Sequence, residues 1–448
     1  MRLKGLQNIK KIYFIGIGGI SMSALAQFLH DCGYQVSGSD GVKGEQTVKL
    51  RAKGISVFFG IDALREELTG ADAVVYTDAI SNEHCELSTA KSMRKKILSR
   101  AELLSVICAE FSNVIAVAGS HGKTTCTSMC AHIFDYLRAP FTAHIGGEDI
   151  QYGNYFSSGK EYFLTEACEY KKNLLKFPKK VAILLNIDKD HMECYQSEQD
   201  LEDCFHMYCR QAETAFVCGD DEKCKAWGEF QTFAIQNPLA DYRAIDIRAT
   251  GEKYAFTVEE YGKALCRVRL NAVGRCNIYN ALAAFAAARS FGFDGEEIAR
   301  GLGHFTAVKR RFEKIGECRG VSFICDYAHH PREIISTLAT ARGLAKKNLY
   351  VVFQPHTYSR TKLLLNEFIE VLRPIKNLMI YKTYPARESY DGAGSGEYLA
   401  ERVGSLYANS IYSLKIWLKS TMHENDVVLF LGAGDIYFTA QYLLKELQ

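Results

Sequence analysis

Val114-Ile-Ala-Val-Ala-Gly-Ser-His-Gly-Lys-Thr-Thr125 decides how this chain is read, because it runs from an apolar strand through a glycine loop into a helical stretch, Cys126 to Leu137. In such a unit the loop's backbone N–H groups and the positive end of the helix converge on phosphate oxygens. Gly119, Ser120, His121 and Gly122 form the cradle, Lys123 neutralises the β/γ oxygens, and Thr124, followed by Thr125, brings a hydroxyl to Mg²⁺. The ordinary motif has a glycine five positions before Gly122; that place is taken by Val117, and the glycine stands at 119. The stretch predicts binding of ATP or GTP. The alternative is a plain glycine turn with a solvated lysine.

Working outward, Lys11-Ile-Tyr-Phe-Ile-Gly-Ile-Gly-Gly-Ile-Ser-Met-Ser-Ala-Leu-Ala26 repeats the strand–loop–helix pattern, and Gln35-Val-Ser-Gly-Ser-Asp40 reads as a second strand ending in an acid. Gly16 and Gly18 fit a dinucleotide fingerprint, but Ser21 occupies the place of its third glycine. Apolar runs at Ala73 to Thr77 and Ala101 to Cys108 complete a first α/β unit, predicted as 1–109. A second unit, 110–312, contains the phosphate loop and strands at Tyr162 to Thr165 and Val181 to Asn186. It closes on an Ala-rich helix, Ile278 to Phe291, and a turn-rich stretch before Lys309. The third, 313–448, begins at Val321 to Cys325 and includes strands Leu349 to Phe353, Leu378 to Tyr381 and Val427 to Leu431. The fold class is therefore α/β, as three consecutive α/β domains with a central P-loop ATPase-type module.

Composition bounds the function. The 448 residues are 48% hydrophobic with a formal net charge of +2, and basic clusters such as Arg94-Lys95-Lys96 are short, which argues against a nucleic-acid surface. The apolar stretch Ile12 to Ile20 is broken by glycines and too short to cross a bilayer, so no membrane insertion and a cytoplasmic location are expected. Fifteen cysteines are an odd number with no C-x-x-C, which predicts reduced thiols. Cys204, Cys209, Cys218 and Cys224 with His206 lack the spacing of common zinc modules.

Acids at strand ends sharpen the central site. Glu166, in Thr165-Glu-Ala-Cys-Glu169, and the group Asp188, Asp190 and His191 each follow a predicted strand, where they are placed to hold a metal beside phosphates. For His191 the plainer alternative is a hydrogen-bonded structural histidine.

With these motifs the chain resembles the Mur ligases, ATP-dependent enzymes that build the peptide of bacterial cell-wall precursors. The resemblance rests on Gly16-Ile-Gly-Gly-Ile-Ser-Met-Ser23, Gly119-Ser-His-Gly-Lys-Thr-Thr125 and Glu166-Ala-Cys-Glu-Tyr170, and above all on Asp326-Tyr-Ala-His-His-Pro331, Phe353-Gln-Pro-His-Thr-Tyr-Ser-Arg360 and Tyr384-Pro-Ala-Arg-Glu388. It implies two Rossmann-like outer domains, UDP-binding and C-terminal, around the ATP module. It also implies UDP-N-acetylmuramate and L-alanine as small-molecule substrates, joined through an acyl phosphate with ATP and Mg²⁺. A preformed tripeptide in place of L-alanine is the nearest alternative. An NAD(P)-dependent oxidoreductase would leave Asp326-Tyr-Ala-His-His-Pro331 and Phe353-Gln-Pro-His356 without purpose, and intact Lys123, Thr124, Glu166 and His191 argue against a non-catalytic nucleotide-gated scaffold.

By the same resemblance Thr124 and Glu166 hold one Mg²⁺ and His191 contributes to a second; Lys123, Glu166, His191 and Arg311 are the catalytic set. Asn277 and Asn280 match a segment that contacts adenine, Asp326 one that accepts the ribose hydroxyls, and Arg311 an arginine that reaches the phosphates. Gly18, Gly19, Ser21 and Asp40 are implied for the UDP moiety, and Tyr327, His329 and Arg360 for the amino acid. Four positions depart from the family pattern: Cys276 where histidine is common, Thr357 where many relatives carry a second arginine, and Lys171 and Lys172 in place of further acids.

Overall fold

Three sheets follow one another along the chain in the computed structural model, which describes residues 3–60, 65–251 and 253–448. The first comprises β1 (Lys11–Ile15), β2 (Gln35–Asp40), β3 (Ser56–Phe59), β4 (Ala73–Tyr76) and β5 (Lys96–Ser99), all parallel in the order β3-β2-β1-β4-β5. Ile12, Tyr13, Phe14 and Ile15 are all buried, as both faces of a helix-covered parallel strand should be. The strand order reverses at β1, so a crevice opens beyond its carboxyl end, at Gly16 to Gly19.

The middle sheet has ten strands: β6 (Asn113–Ala118), β7 (Phe141–Asp149), β8 (Gly153–Ser157), β9 (Tyr162–Glu166), β10 (Val181–Leu184), β11 (Thr214–Cys218), β12 (Gln231–Ala234), β13 (Tyr242–Thr250), β14 (Lys253–Glu260) and β15 (Lys263–Val273). Their order is β15-β14-β13-β12-β11-β10-β6-β9-β7-β8. β6 pairs in parallel with β10 on one side and β9 on the other, so the phosphate loop also leaves its sheet at a switch point. The first two sheets share a core. Phe28, in the helix Ile20–Asp31, meets Phe111, Tyr155 and Phe163 with ring centroids 6.2, 6.4 and 6.5 Å away.

The chain divides into two compact units; the larger contains the first sheet and the phosphate loop, and the smaller contains residues 270–277 and everything from Ala307 on. The smaller unit's sheet has the order β16-β17-β21-β18-β19-β20, from β16 (Glu313–Cys318), β17 (Val321–Asp326), β18 (Leu349–Phe353), β19 (Asn377–Tyr381), β20 (Leu406–Ala408) and β21 (Val427–Leu431). Only β16 is antiparallel to its neighbour. The ends of β17 and β18 carry Asp326 and Gln354 to one edge of this sheet.

Several elements correct the sequence expectation. The strand expected to reach Asn186 stops at Leu184, because Asn186 leaves the ladder to bond the phosphate loop. The stretch before Lys309 holds a helix, Gly295–His304, whose first turn is capped by the Asp294 carboxylate accepting from the Glu296 and Glu297 N–H groups. The third sheet starts with β16, before Val321. The loop helix begins at Lys123, three residues before Cys126, and the Ala-rich helix spans Cys276–Arg289. All fifteen cysteines are free thiols.

Candidate active site

Two glycines shape the phosphate loop. Gly119 has φ +131° and Gly122 φ +87°, the left-handed region in which side chains are strained. A Cβ on Gly122 would lie 2.5 Å from Asn280 Oδ1, so Asn280 packs directly under the loop. Asn186 fastens the other side: its carbonyl accepts from the Ser120 N–H, its Oδ1 from the His121 N–H at 2.8 Å, and its amide donates to the His121 carbonyl. The Ser120 hydroxyl accepts from the Asp188 N–H at 2.8 Å, and His121 Nε2 stands 2.8 Å from Asp188 Oδ2. Thr124 and Thr125 are buried in the first turn of Lys123–Tyr136, a helix with no acid in its first turn to compete for an anion.

Lys123 Nζ donates to the Gly119 and Ser120 carbonyls and to both Glu169 oxygens, at 3.0 and 3.1 Å. Burial pulls the ammonium's pKa down, and the Glu169 carboxylate more than reverses this, so the net shift is upward. Glu166 ends β9, and its Oε1 accepts from the Gly146 N–H at 2.6 Å. His191 has φ +54°; its ring, the Asp190 carboxylate and that of Glu169 each offer an atom within 4.8 Å of the others. The structure thus joins His191 to Glu169 and Asp190.

At the first sheet's turn, Gly18 donates its N–H to Asp40 Oδ2 at 2.8 Å, while Asp40 Oδ1 accepts from the Val42 N–H at 3.0 Å. Asp40 therefore holds the shape of the turn beside Gly19. Ser21 is half-buried, and its Oγ lies 2.8 Å from His144 Nε2 and accepts from Arg100 at 3.4 Å.

In the smaller unit, Asp326 Oδ2 accepts from the Phe312 N–H at 2.7 Å and Oδ1 from the Ala328 N–H at 2.8 Å. Burial raises its pKa to about 6 although Arg311 opposes the shift. The folded chain thus holds this proton more tightly than the unfolded chain does. The associated stability is complete below the unfolded carboxyl range and declines as pH rises toward about 6. Urea unfolding between pH 4 and pH 7 is expected to show that decline, and Asp326→Asn to flatten it; an unchanged slope would contradict the assignment.

Arg311 lies over the Tyr327 ring at 4.8 Å and 3.9 Å from Glu333 Oε1. Glu333 Oε2 accepts from the His329 and His330 N–H groups, closing a capping box on the helix Pro331–Leu344, so His330-Pro331 is the turn into that helix. Asn277 donates its side-chain amide to the Val273 carbonyl at 2.7 Å. Arg360 NH1 donates to His356 Nδ1 at 3.2 Å, His356 stacks on Tyr384, and His329 stands edge-on to both Tyr327 and His356.

Three family models match this chain in succession: the Mur ligase family catalytic domain over residues 11–112, the Mur ligase middle domain over 117–288, and the Mur ligase glutamate ligase domain over 310–434. The chain belongs to the Mur ligase family. Its relatives include the UDP-N-acetylmuramate–L-alanine ligase of Clostridium beijerinckii, 38% identical over 97% of this chain and 98% of that protein, and that of Acetivibrio thermocellus, 37% identical over 98% and 96%. Among solved structures, the UDP-N-acetylmuramate–alanine ligase of Thermotoga maritima superposes with a TM-score of 0.84 at 28% identity, covering 97% of this chain and 98% of that one. A murein peptide ligase from Psychrobacter arcticus shares the fold, with a TM-score of 0.76 at 22% identity and 98% coverage of both.

Within this Mur ligase the larger unit gathers Gly119 to Thr125, Glu166, His191 and Asn280 around one loop, and the smaller gathers Arg311, Asp326, Tyr327, His329 and Arg360 at one sheet edge. Sequence reasoning missed Glu169, Glu333 and His144. Glu333 had a signal, since an acid three residues past a helix cap is the capping-box spacing. Glu169 stands one turn beyond Glu166 and was passed over for want of the further acids of the family pattern.

Proposed function

We propose that this chain joins L-alanine to the carboxylate of UDP-N-acetylmuramate, giving UDP-N-acetylmuramoyl-L-alanine, ADP and phosphate. One observation carries the reading: relatives 37–38% identical along nearly their whole length are UDP-N-acetylmuramate–L-alanine ligases. The tripeptide-adding alternative has less behind it: a ligase of that kind is 27% identical with a TM-score of 0.61 over 67% of this chain, and a murein peptide ligase is 22% identical.

In the proposed reaction the sugar-linked carboxylate attacks the γ-phosphorus of ATP and ADP leaves, forming an acyl phosphate. The amine of L-alanine then attacks the acyl carbon, phosphate departs, the amide forms, and the amine's surplus proton passes to solvent. Bringing two anions together is mainly a matter of position and charge. The loop amides and Lys123 hold the triphosphate. Thr124, Glu166 and His191 are the residues we assign to Mg²⁺. The hydroxyl and carboxylate oxygens suit a hard cation, and Glu169 and Asp190 stand beside His191 as further oxygen donors. Mg²⁺, when bound, neutralises phosphate charge and aligns the attacking and leaving oxygens.

Asn277, Asn280, Asp326 and Arg311 are assigned to ATP, Gly18, Gly19, Ser21 and Asp40 to the UDP moiety, and Tyr327, His329 and Arg360 to L-alanine. The segments 1–109, 110–312 and 313–448 are the corresponding domains. Among the described residues no helix is long and apolar enough to cross a membrane, and we place the reaction in the cytoplasm, where ATP is available. The test is ADP release from ATP, Mg²⁺, UDP-N-acetylmuramate and an acceptor. L-alanine is expected to support it and omission of either acceptor to abolish it; release with the tripeptide alone would overturn the assignment.

A further inference from the structure

His144 sits in β7, 3% exposed, with each ring nitrogen on a hydroxyl: Nε2 is 2.8 Å from Ser21 Oγ and Nδ1 is 2.8 Å from Thr165 Oγ1. Those partners lie 123 and 21 residues away in sequence, and Thr165 is fully buried one residue before Glu166. Burial and the nearby Arg100 push the imidazole down to about 3 against an opposing hydrogen bond to the Ser21 backbone, so it is neutral at any working pH. A neutral imidazole has one donor nitrogen and one acceptor nitrogen, and the hydrogen bonds around it determine which is which.

The assignment starts at the far end. The Thr165 hydroxyl donates to the Glu166 carbonyl at 3.2 Å, so its single proton is already used. It must therefore accept from His144, which puts the ring proton on Nδ1. Nε2 is then the acceptor and takes the Ser21 proton. Ser21 Oγ keeps its lone pairs for an N–H donor, and Arg100 NH1 supplies one at 3.4 Å. Every hydrogen bond in the row, from Arg100 to Ser21 to His144 to Thr165 to the Glu166 carbonyl, then points the same way. Arg100 itself opens the helix Arg100–Cys108, whose Ser99 and Glu102 form a reciprocal capping box, so its backbone is fixed as well.

We infer that His144 is a positioning residue for the sugar-nucleotide substrate: it holds the Ser21 hydroxyl as an acceptor, and through it fixes the Arg100 guanidinium at the glycine turn to meet the diphosphate. Ser21 then serves as the bracket for a cation, and Arg100 as the group that meets the anion. The inference rests on the proposed reading of the Gly18–Ser21 turn as the diphosphate site.

Substitutions at 144 separate this role from simple core filling. His144→Leu keeps bulk and removes both hydrogen bonds. His144→Gln can still offer an amide oxygen where Nε2 stood, whereas His144→Asn reaches only toward Thr165. In steady-state assays His144→Leu and His144→Asn are expected to raise KM for UDP-N-acetylmuramate about tenfold, the scale of one lost hydrogen bond to a charged group, and His144→Gln to recover most of that. KM for ATP and for L-alanine is expected to stay within about twofold. Once Ser21→Ala is present, His144→Leu is expected to add nothing further, because both act through one hydroxyl. A loss shared by all three substrates, or additive effects of the two substitutions, would overturn the inference.

The tautomer gives a readout free of folding concerns. In ¹⁵N-histidine spectra of the unsubstituted protein, the signal among its 12 histidines that disappears in His144→Gln is expected to show protonated Nδ1 and bare Nε2. The opposite tautomer would refute the row of hydrogen bonds. Calorimetric titration with UDP alone tests the underlying reading: absence of binding would remove the diphosphate site, whereas UDP binding unchanged in Arg100→Ala would remove only the part given to Arg100 and His144.

Discussion

Lys123→Ala is expected to lower kcat for ADP release by roughly two to three orders of magnitude, the usual cost of one preorganised charge partner in a transition state. Lys123 is ready for that task before any nucleotide arrives. Its ammonium is mostly buried and remains charged because Glu169 lies against it. Its other partners are two loop carbonyls, which are weaker attractors than phosphate oxygens. A triphosphate in the loop therefore offers the ammonium a better partner at little cost in reorganisation. The substitution also leaves Glu169 as a buried carboxylate without its counter-ion, which should destabilise the fold by about 3 kcal/mol. Adding Glu169→Gln separates the two effects: the double variant should regain most of the unfolding free energy while kcat stays low. Near-normal turnover in Lys123→Ala would remove the residue from the mechanism, and recovery of kcat in the double variant would show that the loss was one of folding.

Much of this arrangement was legible because its strands are buried on both faces. Val114 to Ala118, Leu349 to Phe353 and Val427 to Leu431 read as uninterrupted apolar runs, and the glycines that follow the first mark a turn with positive φ. The strands that escaped notice have a different chemistry. β7 contains Gly146 and Gly147, which strand propensity disfavours, yet Gly146 is needed there: a Cβ would stand 2.4 Å from the Glu166 carboxylate. β15 carries a clean period of two, with Cys266, Val268, Leu270 and Ala272 buried between exposed neighbours, so that signal was present and passed over. β16, Glu-Lys-Ile-Gly-Glu-Cys, is half charged and has little apolar content to reveal it.

The site divides in the same way. Residues joined by short spacing, such as Lys123 with Thr124 or Asp190 with His191, announce themselves together. His144 does not. Between alanine and isoleucine in a buried stretch of strand it looks like any core histidine, and the hydroxyls that give it a direction are distant in sequence. Asp40 shows a different limit of local reading. The acid at the end of β2 suggests a ligand contact; the structure adds that its two oxygens accept from the Gly18 and Val42 N–H groups, so it also shapes the turn. A strand-end carboxylate can therefore shape a glycine turn by accepting from the amides around it.

Arg360→Ala is expected to raise KM for L-alanine about a hundredfold, the scale of losing a desolvated, bidentate pairing with a carboxylate, and to leave KM for ATP and UDP-N-acetylmuramate near their starting values. Arg360 is held at its backbone and at its guanidinium. The short helix Tyr358–Leu363 starts at a Thr357 cap whose backbone is strained, with φ +65° and ψ 146°, and whose side chain accepts from the Arg360 N–H. Because arginine can only donate, His356 Nδ1 accepts from Arg360, and the imidazole stacks on Tyr384 with an interplanar angle of 22°. With threonine at 357, the Tyr358–Leu363 segment has Arg360 and Lys362 as its cations, and the Lys362 ammonium is engaged by Asp391. Arg360→Lys tests the fork against the charge. Lysine keeps the cation and loses the planar pair of donors, so its KM should fall between those of the unsubstituted protein and Arg360→Ala. Equal KM in the lysine and alanine variants would mean that geometry supplies the whole effect. An unchanged KM for L-alanine in Arg360→Ala would remove Arg360 from the proposed amino-acid site.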